Sequence, residues 1–225
     1  LSVPVVVISG LWEKTDKFEL SLSLRERFID YGYCVSQIAS REGCMIFGFH
    51  SFPNFMFDKN IDSIDKIVYF NFCIYQIIKD EKPDLVIITI PGAIQNYNDF
   101  FTRGFGVLHH LVMQAVVPDV FLMCTFYMRE AKKYLKNISD SCKYKYGIPV
   151  DAFHMSNLLI DDVESDEQAC IVTNSIYREI VSKTITEDLL DNPIPVFNAY
   201  DSNECDKLFD LILNILLAKD DQVII

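Results

Sequence analysis

The chain has 225 residues, half of them hydrophobic, and a formal net charge of −12. That balance permits one sizeable core in a single α/β domain. It excludes grip on a nucleic-acid backbone or an anionic membrane surface, since both need clustered Lys and Arg.

The elements alternate along the chain. Val3–Ile8 is uncharged and valine-rich, the pattern of a strand buried on both faces. After a nine-residue loop, Gly10 to Phe18, the stretch Phe18–Tyr31 spaces Leu20, Leu24 and Phe28 at a helical period, and Gly32 is placed to cap it. Tyr33–Ala39 alternates as a strand, and Ser40–Asn60, rich in aromatics, Gly and Pro, reads as irregular. Asp62–Asp80 reads as a helix, Leu85–Ile90 as the strongest strand, ended by Pro91-Gly92, and Phe105–Val116 as a helix. Val120–Tyr127 is a strand, Arg129–Lys145 an amphipathic helix stopped by Gly147 and Pro149, and Asp151–Ile160 a further strand. The acidic run Asp161–Glu167 reads as a solvated loop. Ala169–Ile185 fits a strand, a helix or both; Val196–Ala199 is a short strand and Cys205–Leu217 a terminal helix. Strands alternating with helices imply α/β architecture: a mainly parallel sheet with helices on both faces, one domain over 1–225. The chain opens on Leu1 rather than Met, which leaves room for an upstream domain.

The loop after the first strand is where a P-loop would stand, because ligands of open parallel sheets sit at the carboxyl ends of the strands. A P-loop wraps phosphate with glycine-rich backbone, reaches it with Lys and holds magnesium with Ser or Thr. Here Gly10, Lys14 and Lys17 are present, but Asp16 stands in place of the second Gly and Phe18 in place of the hydroxyl. Asp16 brings negative charge toward a phosphate, and Phe18 ligates nothing. Equally, Gly10 ends a strand, Asp16 caps a helix and Lys17 is a surface residue. The far end of Leu85–Ile90 carries Thr89, Ile90 and Pro91 rather than a carboxylate for magnesium or water. Both deficits count against magnesium-dependent hydrolysis.

Four further residues lie at the presumed ligand edge. Arg41, just after the second strand, has the fork to meet phosphate or carboxylate, or pairs with Glu42 or Asp16. His50 and Phe52 fall in an aromatic loop that is either a contact surface or a satellite core. Asn96 follows Pro91-Gly92 and lines the same crevice, with Asn98, Asp99 and Arg103 after it. His109 and His110 are adjacent, so on a helix they diverge by about 100° and cannot share a metal. His154 reads as a core or edge residue. The seven cysteines, odd in number and without a C-x-x-C pair, read as buried thiols of a cytoplasmic protein. No motif names a catalytic residue or a metal site.

On Val5–Ile8, the Gly10–Phe18 loop, the helix ending at Gly32-Tyr33 and Leu85–Ile90, the chain resembles the SIMIBI class of P-loop NTPases. More narrowly, Thr15–Leu20, Phe47–Pro53 and Ile90-Pro91-Gly92 resemble accessory proteins of clostridial peptide-maturation clusters, which accompany radical-SAM enzymes. The class resemblance implies a P-loop fold and, at Asn157, the Asn that reads adenine; a structural polar cap is the other reading of Asn157. The narrower resemblance implies a cytoplasmic pathway and a peptide or protein partner. The expectation is therefore a non-hydrolysing binding protein with no required cofactor, ATP or GTP being the ligand to test. A divergent nucleotide-binding enzyme and a structural subunit, such as a homodimer, are the alternatives.

Overall fold

A computed structural model of the chain describes residues 3–97 and 106–220. Its centre is a seven-stranded sheet in which every pair is parallel. The strands are β1 (Val5–Gly10), β2 (Val35–Ala39), β3 (His50–Ser51), β4 (Leu85–Thr89), β5 (Val120–Thr125), β6 (Ala152–Met155) and, after a separate hairpin, β9 (Val196–Phe197). Their order is β3-β2-β4-β1-β5-β6-β9. β1 is central: Val5 pairs with Val86 of β4 on one side, and Val6 with Val120 of β5 on the other.

Being buried on both faces, β1 has no polar face to show. Val5 and Val7 pack on α2 (Ser63–Glu81), α3 (Val107–Ala115), α4 (Lys132–Tyr146) and α6 (Arg178–Glu187), through Phe70, Ile74, Val112, Leu135 and Val181. Val6 and Ile8 face the opposite layer, α1 (Lys17–Asp30) and α7 (Ser202–Asp220), through Leu24, Phe28, Leu208 and Phe209. α1 ends as expected at Gly32. With φ at 92°, this residue lets the Tyr33 amide return to the Phe28 carbonyl at 3.0 Å.

Three readings change. The expected strand Asp151–Ile160 is two: β6 stays in the sheet, while β7 (Leu158–Ile160) leaves it and pairs antiparallel with β8 (Thr173–Ser175). Ser156 makes the break: its amide closes the ladder on the Thr125 carbonyl, and its hydroxyl accepts the Leu158 amide. The acidic run is not a loop but α5 (Asp162–Gln168), because the Asp161 carboxylate accepts the Glu164 amide and caps it. The irregular segment 40–60 contains the short edge strand β3. Ala169–Ile185 proves to be both strand and helix, β8 and then α6. Among the described residues, no helix is long and apolar enough to cross a membrane.

Candidate functional site

The chain moves from β1 to one side of the sheet and, after β4, crosses to β5 on the other side. The loop after β1 therefore opens at the switch point, where the carboxyl ends of β1, β4 and β5 leave a crevice. Its first turn is pinned from two directions. The Leu11 amide bonds the Cys124 carbonyl of β5 at 2.9 Å, and the Ile94 amide, beyond β4, bonds the Gly10 carbonyl at 3.1 Å. Lys14 and Asp16 both adopt left-handed backbone, φ 61° and 57°. The loop thus keeps a conformation suited to glycine at the position where glycine is missing.

Inside this loop the polar groups turn to the protein. Thr15 is fully buried and donates to the Trp12 carbonyl, so its hydroxyl faces inward. Lys17 is buried too, and its ammonium donates to the Gly92 carbonyl. Burial lowers the Lys17 pKa to about 8, against weaker opposing pulls from Cys124 and Glu13. Lys14 reaches across to the Ile171 carbonyl at 2.8 Å, just before β8. Asp16 starts α1 without capping it, and one carboxylate oxygen is buried with no partner. Burial, then the Glu19 carboxylate, pushes its pKa up to about 6.

The position of the metal hydroxyl is filled by a packed aromatic. Phe18 tilts against Phe49 with centroids 6.3 Å apart, and the Arg41 guanidinium lies over its ring, 4.3 Å from the centroid. Arg41 also pairs with Glu19 at 2.6 Å. The expected pairing of Arg41 with Asp16 or Glu42 thus gives way to Glu19. At the end of β4, Thr89 is fully buried, and no carboxylate follows it before Pro91. These residues do not fit the usual magnesium-bound nucleotide: no hydroxyl stands at position 18, no carboxylate ends β4, and the Asp16 carboxylate stands where phosphate would lie. Among the described residues, no group of three metal-ligating side chains exists anywhere.

The remaining candidates scatter. His50 lies on the sheet edge, paired with Glu81 of α2 at 2.6 Å, away from the loop. Phe52 is buried against Phe70, so it is core rather than contact surface. The Asn157 side chain accepts at 2.5 Å from Asn198, the residue after β9, in a part-buried polar pair. Asn96 contributes its carbonyl to the Trp12 indole at 3.3 Å. Asn98, Asp99 and Arg103 lie outside the described residues. Burial lowers His109 to about 3 and His154 to about 4, so both are neutral core residues.

Two clefts flank the loop. One, of about 480 Å³, opens beside Lys14, Asp16, Phe18 and Arg41. The other, of about 750 Å³, lies between Trp12, the residues after β4, α2 and α3. Its wall is apolar, with Trp12, Met56, Phe57, Leu108, Leu111 and Ile171, and its rim carries Lys14, Lys59 and Lys66 against Glu13. Trp12 is held rigidly there, stacked at 5.7 Å on Phe126 and at 6.4 Å on Tyr134. Sequence reading missed this groove, because its wall comes from five separate segments and none carries a motif.

Against solved structures, the chain is similar to a DUF1611 family protein from Anabaena variabilis, with TM-score 0.65 and 11% identity. The match covers 95% of this chain but 58% of that one, so the chain spans little more than half of that neighbour's length. It is also similar to a GTPase from Pyrococcus abyssi, solved in apo form, with TM-score 0.51 and 13% identity, covering 95% of this chain and 97% of that one. What the chain shares with them is the fold, a parallel sheet flanked by helices of the P-loop NTPase-like kind. No family model matches the chain, and no curated protein does. On this fold, the loop after β1 stands where a phosphate loop would, with Asp16 and Phe18 in it.

The Asp16 carboxylate, with one oxygen buried and without a partner, gives a direct test of this account. Replacing Asp16 by Asn keeps the shape and tolerates the left-handed backbone. It is expected to stabilise the fold at pH 7 by about 1 kcal/mol, after discounting for partial exposure. A carboxyl whose folded pKa is raised costs nothing below the unfolded value, and its full cost appears once pH passes the folded value. The gain should therefore be absent near pH 4, grow toward pH 6 and stay constant above it. Urea melts of both proteins between pH 3.5 and 8 read it; a gain independent of pH would contradict the assignment.

Proposed function

We propose that this protein is a non-hydrolysing binding protein on a SIMIBI scaffold, and that its ligand is an extended peptide segment with apolar side chains and a carboxylate. The observation that carries this reading is the roughly 750 Å³ groove. It joins an apolar floor around Trp12 to a rim of three lysines, on a chain whose overall charge is −12. Apolar walls supply affinity, and a few placed charges supply orientation. A lysine rim on so acidic a chain selects an anionic end over a cationic one. The inward-turned Lys17, the packed Phe18 and the carboxyl at Asp16 support binding without nucleotide hydrolysis. A peptide or protein of a maturation pathway, in the cytoplasm, is the partner class this reading favours.

A second reading has its own support: the loop keeps left-handed backbone at Lys14 and Asp16, beside a cleft of about 480 Å³. Such a cleft suits a nucleotide or another phosphate compound bound without magnesium.

Trp12 is the chain's single tryptophan and lines the groove, so its fluorescence reports occupancy directly. Titration with ten-residue apolar peptides ending in a free carboxylate is expected to saturate at micromolar concentration and shift the Trp12 emission. C-terminal amidation should weaken binding several-fold, and Lys59→Glu with Lys66→Glu about tenfold or more. ATP or GTP with magnesium should leave the melting temperature unchanged. A nucleotide-dependent rise that Lys17→Ala abolishes would favour the second reading. Equal binding of amidated and free peptides would remove the lysine rim from the account.

A further inference from the structure

The outer face of α2 is apolar where a helix on a sheet should be polar. Its inner face is satisfied: Phe70, Ile74 and Ile77 are buried in the core. Yet Val68, Tyr69, Phe72 and Tyr75 are 56, 49, 58 and 50% exposed, and Ile64 beside them is 71% exposed. At 100° per residue, positions 65, 68, 69, 72, 75, 76 and 79 fall within about 60° of Phe72, so they form one stripe along the helix. Phe72 and Tyr75 already stack on each other at 6.4 Å. A monomeric protein rarely leaves such a stripe to water.

We infer that this face is the contact of a symmetric dimer, in which α2 of two copies of the chain packs antiparallel about a dyad at Phe72. The order of residues along the stripe carries the inference. A dyad through Phe72 sets Tyr69 against the partner's Tyr75, and Val68 against the partner's Gln76. It also sets Asp65 near one end against the partner's Lys79 near the other. Every pairing occurs twice, as a twofold contact requires. The aromatics meet at the centre, and two opposite-charge pairs, Asp65 with Lys79, close the rim. The stripe carries one Asp and one Lys, so it is neutral on a chain of charge −12. Approach of two such chains is least opposed there. The half-exposed aromatics with Val68 and Ile64 offer about 500 Å² of apolar surface per copy, the larger part of the roughly 800 Å² per partner of a standard interface. This contact lies on the outer side of α2, apart from the peptide groove, and does not depend on the proposed ligand.

Sedimentation equilibrium between 1 and 100 μM is the test. The expected mass is twice the 26.0 kDa of the chain. Phe72→Asp should give a monomer with an unchanged melting temperature within a few degrees, because Phe72 is outside the core. Asp65→Lys and Lys79→Asp should each weaken the dimer about tenfold, and the two changes together should restore it. That rescue depends on the antiparallel register and on a second copy as the occupant. A wild-type chain monomeric at 100 μM would overturn the inference and leave the face to a different protein. So would a dimer that survives Phe72→Asp, or a double exchange that fails to restore association.

Discussion

Gly10→Ala is expected to cost about 3 kcal/mol or more of folding stability. A Cβ at position 10 would meet the Trp12 carbonyl oxygen at 2.8 Å and the Lys17 Cδ at 2.9 Å, and would fall closer still to the Thr15 hydroxyl oxygen. None of the three can yield cheaply. The carbonyl is backbone, Thr15 is fully buried and bonded to that same carbonyl, and Lys17 is buried with its ammonium on Gly92. Nor can Gly10 withdraw, since the neighbouring Leu11 amide is tied to β5 and the Gly10 carbonyl to Ile94. For a chain of this size, the melting temperature should fall by about 6–12 °C. Thermal melts of the purified variant read the effect. A loss below about 1 kcal/mol would mean that the loop relaxes freely and is not the close-packed turn described above.

That tight turn also shows which features could be read ahead of the structure. The fold was legible because β1, β4 and β5 are buried on both faces and so read as continuous apolar runs, while α1 carries its apolar residues at helical spacing and ends at Gly32. The break at Ser156 was not legible. Residues 152–160 are apolar enough to pass for one strand, and only the bonds from Ser156 to Thr125 and Leu158 divide them. The acidic helix α5 was hidden for the opposite reason: its composition reads as solvated loop, and the Asp161 cap is a local bond that charge counting overlooks. At the site, the absent second Gly and the absent hydroxyl were visible at Asp16 and Phe18. That Phe18 would pack on Phe49 and Arg41 was not, because those partners come from the segment after β2. Phe52 shows the same limit: its loop looks exposed in sequence, but the ring lies in the core on Phe70.

Lys17 is turned into the fold. Its ammonium is buried, has a single hydrogen bond, to the Gly92 carbonyl, and has a pKa lowered from 10.5 to about 8. The charged form is therefore disfavoured in the folded state. Below pH 8 both folded and unfolded chains carry the proton, and the fold bears the whole desolvation cost. Between about pH 8 and 10.5 the unfolded chain binds more protons than the folded one, so the Lys17 contribution to stability rises with pH across that window. Each pH unit is worth about 1.4 kcal/mol, so the full rise is roughly 3 kcal/mol. Lys17→Met keeps an unbranched side chain, one heavy atom shorter, and removes the charge. It should stabilise the protein at pH 7 by about 2 kcal/mol, once about 1 kcal/mol is deducted for the Gly92 carbonyl left without its donor. The advantage should shrink steadily above pH 8, cross zero near about pH 9.5 and become a deficit of about 1 kcal/mol by pH 10.5. Denaturant melts of both proteins from pH 6 to 10.5 measure it, with peptide titrations of the Trp12 signal alongside. A site that still uses Lys17 for phosphate would show the ordinary trade of function for stability, with ligand affinity falling as stability rises. Here stability should rise while peptide affinity stays within twofold of the wild type, because the groove meets the peptide through Lys14, Lys59 and Lys66 and not through Lys17.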